Sequence, residues 1–160
     1  MNPVDVERFY AHVLKGPTPE ACWLWMGAIS DDGYGRFWFN TPAGQKVVSA
    51  HRFALATVHG GLEAIEDQTA LHWCDVPLCV RASLQPNTHL LLGTASENMK
   101  DRALKGRMPS PNAARWRRLS RAERASRSRH LREQLKQHGW DQGLIRQLVH
   151  DVDPHHPTLF

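Results

Sequence analysis

Between residues 71 and 101 the chain reads LHWCDVPLCVRASLQPNTHLLLGTASENMKD, and this stretch limits the possible folds more than any other. The apolar runs at its two ends read as strands, Gln68–His72 and His89–Leu92, joined by a loop that holds Cys74 and Cys79. Thr94-Ala95-Ser96-Glu97 is a capping box, so a helix begins there and carries Asn98. The expected unit is a two-stranded hairpin followed by a helix. Its cysteines and His89 are ligands suited to zinc. His72 and Asn98 are a candidate base and a hard oxygen ligand, the pair needed to activate water beside Mg²⁺.

Cys74 and Cys79 are separated by four residues, wider than the CxxC spacing of common zinc knuckles. Adding His89, ten residues further on, and the distant Cys22 gives three thiolates and one imidazole. That set fills a tetrahedron, leaves no position for water, and uses every cysteine in the chain. Read without a metal, Cys22 is a small buried hydrophobe and His89 a strand histidine. A closed site would be structural, bracing a unit too small to hold its shape by burial alone. An odd count of three cysteines also speaks for ligation in a reducing compartment rather than for disulfides.

The net charge of +4 is unevenly spread. From Arg115 to Lys136 nine basic residues stand against two acidic ones, a balance of +7, so the rest of the chain carries −3. A mildly acidic body with a concentrated cationic segment points to a polyanionic partner, most often nucleic acid; a solvated helix face usually mixes signs. At 160 residues, 41% of them hydrophobic, one core is expected over residues 1–107, with a basic helical extension for DNA binding or dimerisation over 108–160. No apolar run reaches the length of a membrane span and the first residues lack a signal-peptide core, so a soluble cytoplasmic protein is expected.

Asn2-Pro3 with Asp5 starts a helix whose apolar positions run through Val6, Phe9, Tyr10, Val13 and Leu14 until Gly16-Pro17. Trp23–Met26, Tyr34–Phe39 and Lys46–Ser49 read as a three-stranded antiparallel meander, with Tyr34, Arg36 and Trp38 on one face and Gly35, Phe37 and Phe39 on the other. Ala50–His59 reads as a short helix closed by Gly60-Gly61. Gly106 ends the helix of Asn98, and MPSPNA (108–113) is a linker. Beyond it lie a cationic helix, Ser120–Gln137, a break at His138-Gly139, a second helix, Trp140–His150, and an irregular tail. The class is α+β.

The pattern H-x-C-D-x-P-x-C-V…H-L-x-x-G-T-x-x-x-N-M, preceded by CWLWMGA, DDGYGRF and AHRFAL, resembles the HNH endonucleases of the His-Me finger (ββα-metal) superfamily. Small phage and bacterial HNH proteins and the His–Cys box homing endonucleases are the similar members. The resemblance spans Cys22 to Arg107 and leaves the basic extension uncovered. It implies that His72 is the general base and that Asn98 ligates a single Mg²⁺. It implies equally that Cys22, Cys74, Cys79 and His89 hold a structural Zn²⁺. Two departures stand out: the Cys79–His89 segment is longer than the family's short form, and Leu71 stands where some members carry a metal-binding aspartate.

On that resemblance the chain is expected to hydrolyse phosphodiester bonds in double-stranded DNA. Arg52 is a candidate phosphate contact, with a salt bridge or a cap for the sheet as the alternative, and His51 is read as structural. Tyr34, Arg36, Gln45 and Lys46 on the meander, and Arg115, Arg117, Arg118, Arg121 and Arg124 on the extension, are candidate DNA contacts. One such site cuts one strand, so a specific double-strand cutter of restriction or homing type would be a homodimer. The alternatives are a monomeric phage-type nicking enzyme and a non-catalytic zinc module that binds DNA.

Overall fold

The computed structural model describes residues 2–104 and 120–150. Expectations for Gly106, the 108–113 linker, Arg115, Arg117, Arg118 and the tail fall outside them, as does the boundary between 107 and 108. The fold is mixed α+β, with three two-stranded antiparallel sheets. In chain order the elements are α1 (Pro3–Ala11), β1 (Val13–Lys15), β2 (Trp23–Trp25), β3 (Arg36–Thr41), β4 (Gly44–Ser49) and α2 (Ala50–Val58). A 3-10 turn (Glu63–Ile65) leads to β5 (Thr69–His72), β6 (Leu90–Gly93), α3 (Ala95–Leu104), α4 (Arg121–His138) and α5 (Gln142–His150).

The amino-terminal helix starts as its sequence demands. The Asn2 side chain accepts from the Val4 amide at 3.0 Å and Pro3 occupies the first turn. It stops earlier than the apolar spacing suggested, because Val13-Leu14-Lys15 leave the helix to pair with Trp23–Trp25 as β1. The expected three-stranded meander is therefore not formed. β2 has β1 on one edge, and on the other the segment 78–80, through Trp25 N–H to Leu78 O at 2.8 Å and Val80 N–H to Trp23 O at 2.7 Å. Both edges of β2 are thus taken, so β3 pairs only with β4.

Side-chain alternation in β3 follows the expected faces, with Phe37 and Phe39 buried and Arg36 and Trp38 exposed. Phe37 joins Phe9, Trp25 and Phe53 in an aromatic core, with ring centroids 4.5 Å apart for Phe37–Phe53 and 4.9 Å for Phe9–Trp25. Such pairs contribute about 0.5–1.5 kcal/mol each beyond area burial. Gly35 lets the chain pass close to this core, since a Cβ there would lie 2.4 Å from Trp25 Cδ1.

A second buried cluster joins Cys22, Leu24, Val76, Leu78 and Cys79 to Leu131, Leu135 and Ile145 of α4 and α5. The cationic helix therefore has an apolar stripe that packs against the cysteine loop. Its start is a capping box, with Glu123 N–H to Ser120 Oγ at 3.2 Å and Ser120 N–H to Glu123 Oε2 at 2.5 Å. Gly139, at φ +79°, closes it.

Candidate metal centre and histidine cluster

Each ligand of the cysteine cluster arrives on a different piece of backbone. Cys22 precedes β2, Cys79 lies in the segment along the edge of β2, and a Leu24–Cys79 bridge joins those two strands. Cys74 stands just past β5, where Asp75 adopts φ +59° and turns the chain back. Asp tolerates that left-handed conformation better than most residues. His89, just before β6, donates its backbone N–H to Arg81 O at 3.0 Å. The lengthened 79–89 segment bulges outward, with Leu84 exposed and the Thr88 hydroxyl accepting from Ser83 N–H at 3.2 Å. The extra residues leave His89 at the cysteines.

The Sγ atoms of Cys22, Cys74 and Cys79 and a ring nitrogen of His89 all lie within 4.8 Å of one another. His89 Nδ1 is 3.4 Å from Cys22 Sγ and 3.6 Å from Cys79 Sγ. A tetrahedral zinc with its usual bond lengths sets S···N edges of about 3.6 Å. The donor set and its spacing therefore fit zinc, and Nδ1 is the nitrogen that would bind. None of the three thiols is in a disulfide. The thiols share protons: the Cys22 and Cys79 side chains hydrogen-bond Cys74 and push its pKa far down. That bond to Cys74 raises Cys22 to about 12, and burial pushes Cys79 well up. A divalent ion entering here would displace those protons.

The other predicted residue of this unit, His72, ends β5, whose register pairs it with Leu90. Its ring lies 5.1 Å from that of His51, at 67°, and 5.9 Å from that of Tyr34. Tyr34 and His51 are themselves 5.1 Å apart, so rings from α2, β5 and the loop before β3 meet. Burial, with His72 and Arg52 nearby, lowers the His51 pKa to about 3, so this imidazole is neutral. Its Nδ1 is buried without a hydrogen-bond partner, while Nε2 faces Ser49 Oγ at 3.4 Å. The sequence marks His51 only by its place in AHRFAL, directly before Arg52; the structure puts it against His72.

Arg52 is held by backbone carbonyls. Its guanidinium donates to Gln68 O at 2.5 Å and Ile65 O at 2.8 Å, capping the turn before β5. Asn98 is half-buried in the first turns of α3, a helix that packs against β5. The capping box behind it is formed, Thr94 N–H to Glu97 Oε2 at 2.6 Å and Glu97 N–H to Thr94 Oγ1 at 3.1 Å.

The candidate DNA contacts separate. Arg36 and Gln45 share the outer face of the β3–β4 hairpin with Trp38 and Val47, whereas Lys46 pairs with Phe39 and belongs to the opposite face. A one-residue offset on a strand decides the face, so Lys46 projects from the face opposite Gln45. On α4, Arg121 pairs with Asp31 at 3.3 Å, Arg129 donates to Ser30 O at 3.4 Å and Arg132 to Gly27 O at 2.7 Å. The helix thus lies along residues 27–33. A Cβ on Gly33 (φ +91°) would sit 3.1 Å from Arg124 O and from Ser128 Oγ. That contact sets the arginine helix beside the loop bearing Tyr34.

The fold and site define a small α+β protein with a closed Cys3His cluster able to hold a metal such as zinc. Over 90 residues the chain is 38% identical to Protein 2.8 of Escherichia phage T7, an overlap of 56% of this chain and 55% of that protein. Over 88 residues it is 34% identical to Protein 7.7 of the same phage, covering 55% of this chain and 59% of the relative. The chain thus spans somewhat more than half the length of these curated relatives. No family model matches the sequence, and no solved structure matches it. Among the described residues no helix is long and apolar enough to cross a membrane.

Proposed function

We propose that this protein is a metal-dependent DNA endonuclease of the HNH, His-Me finger type. The observation that carries the reading is the unit β5–β6–α3. A histidine ends its first strand, an asparagine lies on the helix that packs against that strand, and the β5–β6 connection supplies Cys74, Cys79 and His89 of the Cys3His cluster. The unit follows the order expected of a ββα-metal site, and the sequence pattern H-x-C…N that motivates the reading falls on it.

In this reading His72 takes a proton from the attacking water. Tyr34 and His51 pack on its ring and limit its rotation. Neutral His51 adds no positive charge beside a group that must accept a proton. Asn98 would hold Mg²⁺, which when bound supplies charge stabilisation to the phosphoryl group and the leaving oxygen. Zinc at the Cys3His cluster would brace the hairpin and take no part in hydrolysis. Double-stranded DNA would be gripped by the arginine helix and the outer hairpin face. Cutting both strands would use two copies of the chain related by a two-fold axis, and a single copy would nick.

The test is incubation of supercoiled plasmid with the purified protein and Mg²⁺, sized on native and denaturing gels. Cleavage is expected, with His72→Ala and Asn98→Ala each slowing it by about 100-fold or more. Nicked circles would identify the single-strand cutter, and linear fragments of discrete size the specific double-strand cutter. Intact plasmid that is nonetheless retarded by the protein would replace the enzyme with a DNA-binding zinc module.

A further inference from the structure

The metal cluster leaves one neighbour unexplained. Arg81 is only 4% exposed, and among the described residues no carboxylate pairs with it. Its guanidinium donates to Ala21 O at 2.6 Å and to Pro19 O, while its buried Nε has no hydrogen-bond partner. Two carbonyl dipoles and a Trp23 ring 5.7 Å away do not neutralise a buried cation. A buried cation with no opposing charge destabilises the fold even when its N–H groups are partly hydrogen-bonded.

Binding of a metal fixes a net negative charge in its surroundings. Arg81 follows Cys79 by two residues, its carbonyl accepts from His89 N–H at 3.0 Å, and its guanidinium holds the carbonyl of Ala21, next to Cys22. A divalent ion held by three thiolates and a neutral imidazole carries one net negative charge. We propose that Arg81 is the built-in counter-ion of the Cys3His metal complex, and that it also staples the Cys22 segment to the Cys79–His89 segment. Charge and hydrogen bonding then act together: the same side chain that balances the complex delivers its most distant ligand. Arg81 is a positioning residue for the metal and touches no substrate.

This inference rests on the metal reading of the cluster and is independent of the nuclease reading. Zinc affinity would be measured by competition with a chromophoric chelator, and thermal midpoints with zinc and with zinc stripped. Arg81→Gln is expected to weaken zinc binding about 10–100-fold, the usual effect of losing an outer-shell partner, and Arg81→Lys far less. Without zinc, Arg81→Gln should lower the midpoint far less than with zinc, because only the contacts to the Ala21 and Pro19 carbonyls are then lost. In a Cys74→His background, whose Cys2His2 complex is neutral, Arg81→Gln should cost clearly less zinc affinity than in the parent, because only the stapling contacts are lost. Equal losses of midpoint with and without zinc, at unchanged zinc affinity, would overturn the counter-ion role. So would a Cys74→His/Arg81→Gln protein that fails to fold where Cys74→His alone folds. A parent protein that binds no zinc at all would overturn this proposal and the metal reading together, leaving the nuclease test untouched.

Discussion

His51 shows how little a residue's type says about its role until its neighbours are known. As one of ten histidines it was marked only by its place in AHRFAL, yet its ring is buried against His72 and Tyr34. Its depressed pKa makes the fold sensitive to acid in a definite direction. The folded state favours neutral imidazole, so this contribution is fully present above pH 6.5 and is lost as pH falls from there toward about 3. At pH 5 the loss amounts to about 2 kcal/mol for a group held to that extent. His51→Phe should remove that component: between pH 7.5 and pH 5 the parent should lose about 2 kcal/mol more stability than the variant in urea unfolding. Parallel losses in the two proteins would mean that His51 is protonated without cost. The Cys3His donors were readable because thiol and imidazole chemistry narrows their use, and Arg81 was not, because an arginine's burial is decided by its surroundings.

At the scale of elements, local signals and long-range pairing fared differently. The helix starts at Asn2, Thr94 and Ser120 follow from side chains that satisfy nearby amides, and all three caps are formed. The meander failed because pairing partners are chosen across the chain: 78–80 occupies the edge of β2 that the sequence order offered to β3. The cationic helix also divides its labour. Leu131 and Leu135 are each 2% exposed against the cysteine loop, so Leu135→Ala should cost about 2–5 kcal/mol in chemical denaturation. Arg132 donates to Gly27 O and pairs with Glu133 at 2.8 Å. Arg132→Ala should therefore leave the slope of log DNA affinity against log salt unchanged. Neutralising a cation that contacts phosphate should lower that slope by about one, which titration at several salt concentrations would read.

Across the whole molecule, two buried clusters meet at β2: Trp25 faces the aromatic core and Leu24 the cysteine cluster. The cysteine cluster is shared with α4 and α5, so the candidate metal centre and the basic extension are expected to stand or fall together. Stripping zinc with a chelator should lower the thermal midpoint and expose the α4–α5 contact in the same transition, followed by hydrogen exchange at Leu131 and Leu135. A chain ending at residue 119 would uncover Leu24, Val76 and Leu78 and should be markedly less stable even with zinc. If that shorter chain melted with the full protein's midpoint, the helices would be an independent appendage, as the charge distribution alone suggested.

The sequence by itself determined the metal donors, the hairpin-and-helix unit around them, the helix caps and the alternating faces of β3. All of these follow from chemistry and periodicity within a few residues, or from the scarcity of cysteine. Only the tertiary structure decided which strand lies beside β2, which rings enclose His72, how many arginines the body keeps for itself, and where Arg81 is buried. Those depend on contacts between segments up to about a hundred residues apart, such as Arg132 with Gly27. Their free energy comes from shared burial and mutual desolvation, which no local window of the chain encodes.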